Sequence, residues 1–510
     1  MIRKNIISKT ILGGIVGLVV VLVSAVGIRT ALFTSKQMQV DPKQKVAIDE
    51  ERIAAHLARA IRFRTISYRN PAKFDPNEFL GLRSHLEQAF PKVHSTLKRE
   101  VVGDFSLLYT WEGIDPNLKP LLLMGHMDVV PIESGTGDKW TYSPFAGRIA
   151  DGFIWGRGTM DDKVSVLGIL ETVELLLAEG FQPRRTVYLA FGHDEEVGGF
   201  RGAAKIAALL HDREVELEFT LDEGFAITER ILPMIAAPVA MVGIAEKGYL
   251  TLQLTVETEK TIGGCGHSSM PQPHTTIGTL SIAIQKLEAN PLPARITEPV
   301  RQLFEYVGPE MDLVGRIVFA NLWLLEPVVK SILARKPSTN ALIRTTTAVT
   351  MIKGGNKENA LPCKAEAVVN FRALPGESND SVIDHVRMTI NNPQIRIRPL
   401  NPAAEPSPIS NTSSPSFRYL HRTIRQIFPD VVVAPSLTIG GTDSKHYASL
   451  SNEVYRFLPL WLKQKEEDTS RFHGTNERIA IEHYADIVRF YVQLIRNSNE
   501  LHSQEKRNEN

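Results

Sequence analysis

Two hydrophobic runs of this chain each end on side chains that can bind a metal ion. The first begins at Leu121 and ends on His126, and the second begins at Thr186 and ends on Glu195 and Glu196. Such runs are typical of buried strands in parallel sheets, and ligands bind outside the carboxyl ends of these strands. Acids and an imidazole from other parts of the chain complete a set that could converge there. The candidate metal ligands are His126, Asp161, Glu196, Asp222 and His473.

This set has the composition that a pair of divalent ions requires. Two ions about 3.5–4 Å apart need one carboxylate that contacts both, with an imidazole and an acid on each side. Imidazole and carboxylate ligands without thiolates favour zinc over manganese or cobalt. Bound in this way, the ions would lower the pKa of a water molecule to about 7. The pattern therefore predicts two Zn²⁺ per chain and hydrolytic chemistry.

Two further acids have predicted roles beside this set. Asp128 follows His126 by two residues on the same side of an extended strand, and could accept the second ring N–H of His126. Glu195 and Glu196 are neighbours, so in an extended backbone they point in opposite directions. We assign Glu196 as the ligand and Glu195 as the general base, which takes a proton from water and returns it to a leaving amine.

Each of these signals has a plainer interpretation when it is taken alone. A single histidine at a strand end is usually structural or solvated, and Asp161 could simply cap a helix, since acids are stabilised at helix N-termini. Glu195 and Glu196 could belong to a solvated turn. The joint pattern favours the metal site. The alternative from another class is an inactive membrane receptor or scaffold on the same fold.

The composition is that of a folded body with ordinary surface charge. The chain has 510 residues, of which 43% are hydrophobic and 23% charged, and its net charge is +1. This length allows two globular domains, and the charge balance gives no indication of a nucleic-acid partner. The only cysteines are Cys265 and Cys363, so a disulfide framework is excluded. A single bridge between them is the open alternative, and we expect both to be small buried residues rather than nucleophiles.

The N-terminus departs from this ordinary composition. Residues 11–28 carry no charge, and with residues 30–33 they approach the roughly 20 apolar residues that span a bilayer. Arg3, Lys4 and Lys9 precede this segment, which favours a cytoplasmic N-terminus and a single-pass anchor. A cleaved secretory signal is the alternative. Both interpretations place the body outside the cytoplasm.

The elements that must position the site residues form two kinds of domain. Strands alternate with helical patterns up to about residue 245, which indicates an α/β sheet. From Leu250 onward, period-two runs such as Ala341–Ile352 and helical stretches such as Leu313–Leu333 predict an α+β domain inserted into the first, because His473 must rejoin the other ligands. The predicted segments are a cytoplasmic N-terminus (1–10), an anchor (11–33), a linker (34–46), the catalytic domain (47–245 and 396–497), the inserted domain (246–395) and a polar tail (498–510).

Five motifs of the chain resemble those of the metallopeptidase M20 family, and within it those of the carboxypeptidase S and N-fatty-acyl-amino-acid synthase/hydrolase branch. The motifs are Gly125–Pro131, Gly156–Lys163, Gly192–Glu196, Leu221–Gly224 and Phe472–Glu477. The resemblance spans roughly residues 50–497. It implies a di-zinc aminopeptidase-like catalytic domain whose inserted α+β domain is a lid that mediates homodimers. The implied activity is release of an amino acid from a short peptide or an N-acyl amino acid, with reverse synthesis of N-fatty-acyl amino acids.

The resemblance also implies how the ligands are shared between the two ions. Asp161 would bridge them, with His126 and Asp222 on one ion, and Glu196 and His473 on the other. The peptide bond that follows Asp161 would be cis.

Substrate-contacting roles follow from the same resemblance. His267 would stabilise the tetrahedral oxyanion, often across a dimer interface. Asn359 and Arg372 of the lid would hold the substrate carboxylate, which Arg372 could contact through two parallel hydrogen bonds. Gly441 and Thr442 belong to a loop whose backbone would contact the substrate. Without the resemblance, His267 would be interpreted as an exposed histidine and Arg372 as a partner in a strand-end salt bridge.

Overall fold

Within residues 2–230, 235–258 and 265–500, which the computed structural model describes, the chain forms three β-sheets and the helices that cover them. The α-helices are α1 (Ile2–Leu32), α2 (Glu50–Ile61), α3 (Pro76–Ala89), α4 (Pro91–Thr96), α5 (Lys163–Ala178), α6 (Ala203–Asp212), α7 (Thr276–Ala289), α8 (Glu298–Val307), α9 (Leu313–Ala320), α10 (Leu322–Leu333), α11 (Pro337–Ile343), α12 (Asn379–Ile390), α13 (Pro415–Ile427) and α14 (Ile481–Ser498).

The strands mostly follow one another in runs between these helices. They are β1 (Lys98–Val102), β2 (Ser106–Trp111), β3 (Leu121–His126), β4 (Arg148–Ala150), β5 (Phe153–Trp155), β6 (Val187–Gly192), β7 (Phe219–Asp222), β8 (Ile227–Glu229), β9 (Val239–Glu246), β10 (Tyr249–Glu257), β11 (Thr346–Gly354), β12 (Lys364–Arg372), β13 (Ile395–Ala404), β14 (Val432–Thr438), β15 (Val454–Arg456), β16 (Trp461–Lys463) and β17 (Arg478–Ala480).

The largest sheet is mixed and has the strand order β1-β2-β6-β3-β7-β15-β9-β8-β16, with β14 paired to β9. Its centre is parallel, because β3 lies between β6 and β7 and runs in the same direction as both. Every residue of β3 is buried, as its continuous hydrophobic run predicts. The two predicted strands that end at His126 and before Glu195 are therefore confirmed. The outer strands β1 and β2 are antiparallel, so the sheet is not purely parallel.

A second sheet, of order β11-β12-β10-β13, is antiparallel throughout. Helices α7 and α12 pack on it and enclose a separate hydrophobic core. This is the α+β unit predicted for residues 246–395, with two differences. Strand β13 runs to Ala404 because its pairing with β10 resumes at Tyr249 after a break in register. The first residues of the predicted strand Ala341–Ile352 belong instead to α11, and β11 begins at Thr346.

The segment that carries α8–α11 packs against the main body, although it lies within the predicted lid. Val300 and Phe304 of α8, with Leu322 and Val329 of α10, belong to the same core as the large sheet. Helix α8 lies against β14 of that sheet. The antiparallel α+β unit is thus interrupted in sequence by four helices that pack on the core of the large sheet.

The predicted helix Leu313–Leu333 is two helices that meet at Asn321. The side chain of Asn321 is buried and donates to the carbonyl oxygen of Ile317 at 2.9 Å and to Thr30 Oγ1 at 3.1 Å. These bonds satisfy a polar group in the middle of an apolar segment, as a buried amide requires. The break between α9 and α10 therefore lies at the residue whose side-chain amide bonds to Thr30 of α1.

Cys265 and Cys363 form a disulfide, the alternative that the sequence left open, so the preferred expectation of two small buried residues is wrong. Their Cα atoms are 5.2 Å apart and 98 positions separate them along the chain. The bridge joins the loop before α7 to the residue before β12. Both half-cystines are only partly buried. The pair could not be inferred from the sequence because neither cysteine lies in a recognisable motif.

Helix α1 contains a stretch long and apolar enough to cross a membrane, Leu12–Leu32. Only 6% of that stretch is buried by the rest of the chain. The helix predicted for residues 11–33 is present, and its last turn is its main point of contact with the body, through α9.

Candidate metal centre

The three central parallel strands end at one edge of the large sheet, and their last residues begin the candidate site. Strand β3 ends at His126 and β7 ends at Asp222. His126 is paired in register with Gly192, the last residue of β6, and Glu195 follows three residues later. The edge therefore collects an imidazole and several carboxylates from segments that are distant in sequence.

A buried ion pair brings two further loops to this edge. Arg157 Nη1 lies 2.6 Å from Glu477 Oε2, and Arg157 Nη2 donates to the carbonyl oxygen of His473 at 3.1 Å. Glu477 Oε1 accepts the backbone N–H groups of Met160 at 2.8 Å and of Asp161 at 3.3 Å. The loop of Asp161 is thus fixed against the loop of His473, although Arg157 and His473 are 316 positions apart. Arg157 and Glu477 lie in the quoted motifs but had no predicted role.

The carboxylate of Asp161 lies between two imidazoles. Its Oδ1 lies 2.9 Å from Nε2 of His126, and its Oδ2 lies 3.1 Å from Nε2 of His473. Glu196 Oε2 is 3.4 Å from the same nitrogen of His473. One ligand atom each from His126, Asp161 and Glu196 lies within 4.8 Å of the others. The peptide bond between Asp161 and Asp162 is cis, as the resemblance implies.

Asp128 orients the two glutamates as well as His126. Nδ1 of His126 lies 3.0 Å from the backbone carbonyl oxygen of Asp128 and 3.4 Å from its carboxylate. The carboxylate accepts the backbone N–H groups of Glu195 and Glu196, each at 3.1 Å. The expectation of an extended backbone at these glutamates is wrong, because Glu195–Val197 form a 3₁₀ turn. Asp128 caps that turn and so holds both side chains at the site.

Asp222, the predicted ligand at the end of β7, is surrounded by backbone N–H donors. Asp222 Oδ2 accepts the backbone N–H of Ser444 at 2.8 Å, and its Oδ1 accepts that of Glu223 at 3.0 Å. Glu223, in contrast, lines the cavity over the site. Burial raises the pKa of Glu223 well above its usual range, and the nearby carboxylate of Asp161 adds to this. Sequence reasoning missed Glu223, although it is the next residue of the same motif.

The site concentrates negative charge away from water. Burial raises the pKa of Glu195 well above its usual range, and the carboxylates of Asp443 and Glu196 add to this effect. Burial also raises the pKa of Glu196. Hydrogen bonds with Asp161 and Glu196 raise the pKa of His473 to about 10. Ionised carboxylates crowded into a buried site are unfavourable unless cations neutralise them.

These donors fit divalent cations. Glu196 Oε1 is buried and has no hydrogen-bond partner in the part of the chain that the structure describes, so one ligand atom is free. Asp161 already presents one oxygen to each of the two imidazoles. A set of nitrogen and oxygen donors without thiolates is one that zinc accepts.

A cavity of about 410 Å³ opens onto this cluster. Its lining combines the acids Asp161, Glu195, Glu196 and Glu223 with the basic side chains Arg69, Lys247, Arg372 and Lys445. The guanidinium of Arg372 lies over the ring of Tyr249, 4.7 Å from its centroid. A Cβ on Gly441 would lie 3.8 Å from Nη1 of Arg372, so this loop and the guanidinium are close neighbours. The cavity can therefore receive a molecule whose anionic end contacts Arg372 while another part of it lies beside the acidic cluster.

Three of the predicted substrate residues are not among the described residues that line this cavity. His267 is exposed on its loop, and the carbonyl oxygen of Asn359 accepts the N–H of Ser268 in that loop at 3.2 Å. Thr442 is buried, and its N–H and hydroxyl donate to Glu246 Oε1 at 2.9 and 2.7 Å. The roles of His267, Asn359 and Thr442 stay predictions.

Both the sequence and the fold have relatives among known proteins. A family profile described as Peptidase family M20/M25/M40 matches residues 122–497. Probable carboxypeptidase S-like 2 of Dictyostelium discoideum is 45% identical over 506 residues, which cover 97% of this chain and 95% of the relative. An N-fatty-acyl-amino acid synthase/hydrolase of Xenopus tropicalis is 39% identical over 505 residues, with 97% and 96% covered. The fold resembles that of an M20 family metallo-carboxypeptidase from Sulfolobus solfataricus, with a TM-score of 0.64 and 16% identity over 89% of this chain and 100% of that one.

Proposed function

Because this chain belongs to peptidase family M20/M25/M40 and is a hydrolase of amide bonds, we propose that it uses two zinc ions to release an amino acid from a short peptide or an N-acyl amino acid. The observation that carries this proposal is the position of Asp161, with one carboxylate oxygen beside each of two imidazoles. A carboxylate in that position is what a pair of ions about 3.5–4 Å apart requires.

In this proposal, five side chains hold the ions. Asp161 would contact both ions, and Glu196 and His473 would hold one of them. His126 holds the other, together with Glu223, because the oxygens of the predicted Asp222 already accept two backbone N–H groups. When bound, the ions would polarise the amide carbonyl and lower the pKa of a water molecule to about 7.

Glu195 is the proposed general base. The cap from Asp128 fixes its backbone, and its side chain lines the cavity beside Asp161. Burial and neighbouring carboxylates raise its pKa, so the Glu195 carboxyl can hold a proton taken from water. It would then pass this proton to the leaving nitrogen of the amide.

The cationic part of the cavity is the proposed carboxylate site. Arg372 has no carboxylate within salt-bridge distance among the described residues, and it lies beside the loop of Gly441. A guanidinium can bind a carboxylate through two parallel hydrogen bonds. The similarity to an N-fatty-acyl-amino acid synthase/hydrolase favours N-acyl amino acids as substrates. The same site would then also catalyse the reverse reaction, the condensation of a fatty acid with an amino acid.

The inserted domain is the proposed lid and dimer contact. Strand β11 is an edge strand of the antiparallel sheet, and its Met351 and Ile352 are exposed. Exposed apolar edge strands readily pair with another chain. A second copy on this edge would bring its own His267 and Asn359 to the substrate cavity, which these two residues of the same chain do not line.

The location of the body is the last part of the proposal. The apolar stretch Leu12–Leu32 of α1 is left uncovered by the body and is preceded in sequence by Arg3, Lys4 and Lys9, which supports a single-pass anchor with the N-terminus in the cytoplasm. The disulfide between Cys265 and Cys363 supports an oxidising compartment for the body, because such bridges are rare in the cytosol. A cleaved signal would place the body in the same compartment.

A hydrolysis screen of the zinc-loaded chain tests the substrate class. It compares Gly-Leu with long-chain N-acyl amino acids, each with a free and with an amidated carboxyl group. We expect Arg372→Ala to slow hydrolysis of the free acids by about 100-fold, because the loss of hydrogen bonds to a charged group costs ~3 kcal/mol. Hydrolysis of the amidated substrates should stay nearly unchanged. Arg398→Ala, on the exposed surface of β13, is the matched control. An equal loss on both substrate classes would contradict the carboxylate site.

A further inference from the structure

Helices α9 and α10 present large apolar side chains to solvent. On α10, Leu324, Val328 and Ile332 recur every four residues and are 40%, 55% and 55% exposed. This spacing places them in one stripe along the helix. Trp323 beside the stripe is 52% exposed. Together with two residues at the start of α9, they form what we call the apolar face: Leu313, Val314, Trp323, Leu324, Val328 and Ile332.

The last turn of α1 is joined to this region by polar contacts. Asn321, between α9 and α10, donates to Thr30 Oγ1 at 3.1 Å and to the carbonyl oxygen of Val26 at 3.4 Å. The guanidinium of Arg29 lies over the ring of Trp323, 5.9 Å from its centroid. The apolar face therefore begins directly beside the end of the apolar helix.

The length of α1 fixes the depth of that contact. The apolar stretch Leu12–Leu32 has 21 residues. At about 1.5 Å per residue it is about 32 Å long, close to the ~30 Å of a bilayer's hydrocarbon core. A helix with so little excess length must keep Val26 and Thr30 near the edge of that core when it spans. Asn321 contacts both of these residues and Trp323 contacts Arg29 between them, so Asn321 and Trp323 must lie at the same level.

We propose that the apolar face docks into the outer leaflet of the bilayer around α1, so that the catalytic body lies against the membrane on α9 and α10. This proposal rests on the proposed anchor. Trp323 suits the interface, where indole rings are enriched. Arg335 and Lys336, exposed just after α10, can reach lipid headgroups from the same position.

The bilayer is a better occupant of this face than a second protein chain. Exposed apolar patches mark either membrane or protein contacts. Here the patch continues a helix that is itself almost uncovered by protein, with 6% of its apolar stretch buried. A second copy seated on the apolar face would have to occupy the space that lipid fills around the end of α1.

Fluorescence quenching by lipids brominated on their acyl chains tests the proposal on the full-length protein in vesicles. The chain has five tryptophans, of which Trp111, Trp140 and Trp155 are buried and Trp461 is partly buried. We expect brominated lipid to quench part of the emission, and Trp323→Phe to abolish that quenched part. Trp111→Phe, in the buried strand β2, should leave it unchanged.

The vesicles are first floated in a density gradient, which separates the two possible failures. A chain that floats but shows the same quenching in Trp323→Phe as in the wild type, or none in either, overturns docking and leaves the anchor intact; this is the result expected if a second copy covers the face. A chain that does not float overturns both the anchor and the docking.

Discussion

Glu195 is the residue whose loss should separate chemistry from metal binding. Its side chain lines the cavity, and its backbone N–H donates to the carboxylate of Asp128. The proposed metal ligands do not include Glu195. We expect Glu195→Gln to retain both zinc ions and to lower kcat by about 10²–10⁴, the usual contribution of a general base. Steady-state kinetics and elemental analysis of the same preparation measure the two quantities.

Glu196→Gln is the matched control, because it changes the neighbouring carboxylate that we assign to the metal. It should lower the zinc content, which Glu195→Gln should not. Turnover by Glu195→Gln at a rate close to that of the wild type would rule out Glu195 as the base.

Asp222 and Glu223 make a second contrast at the residue scale. Both oxygens of Asp222 accept backbone N–H groups, whereas Glu223 lines the cavity. We therefore expect Glu223→Gln to weaken zinc binding by at least 10-fold, and Asp222→Asn to act mainly on thermal stability. Competition with a chromophoric chelator measures the first and calorimetry the second. The reverse pattern would restore Asp222 as the ligand, as the sequence predicts.

At the scale of elements, the pair Arg157–Glu477 joins the two loops that carry Asp161 and His473. Replacing Glu477 by Gln leaves the guanidinium of Arg157 buried without its charged partner, which costs about 3–5 kcal/mol. We expect a lower unfolding temperature and, because both ligand loops are released, a zinc affinity reduced by about 10–100-fold.

Glu466→Gln is the control for this variant. Glu466 pairs with Arg478 at 3.3 Å in a partly exposed position, where an ion pair contributes little. It should change the unfolding temperature and the zinc affinity far less. If Glu477→Gln binds zinc as tightly as the wild type, the pair does not position the ligands.

The central strands could be predicted from sequence because burial on both faces leaves an unbroken hydrophobic run. β3 and β6 are such strands, and the polar residues that follow them mark the sheet edge where the site lies. The same reasoning could not place α8–α11. Their periodicity indicates apolar faces, but periodicity does not say which core such a face packs against, and here part of it packs on the main body.

At the residue level, the spacing of residues in the sequence could not predict the directions in which their side chains point. Neighbouring glutamates alternate only if the backbone is extended, whereas Glu195–Val197 form a turn whose first two N–H groups donate to the carboxylate of Asp128. The choice between Asp222 and Glu223 depends on the backbone groups that approach from Ser444, more than 200 positions away. Contacts of that range are set by the completed fold.

At the scale of the whole molecule, the fold has one task that no single segment performs. It brings His126, from the first half of the chain, to the same carboxylate as His473, near the end. The disulfide is a similar long-range contact, since Cys265 and Cys363 are 98 positions apart. Sequence motifs predicted the first convergence because the residue types indicate shared chemistry, whereas two isolated cysteines indicate none.

The metal content of the purified chain, measured by elemental analysis after zinc loading and removal of excess metal, tests this convergence most directly. We expect two zinc ions per chain in the wild type and a loss of most of this zinc in Asp161→Ala, because one carboxylate serves both ions. Absence of stoichiometric metal in the wild type, or retention of both ions by Asp161→Ala, would contradict a shared two-metal site.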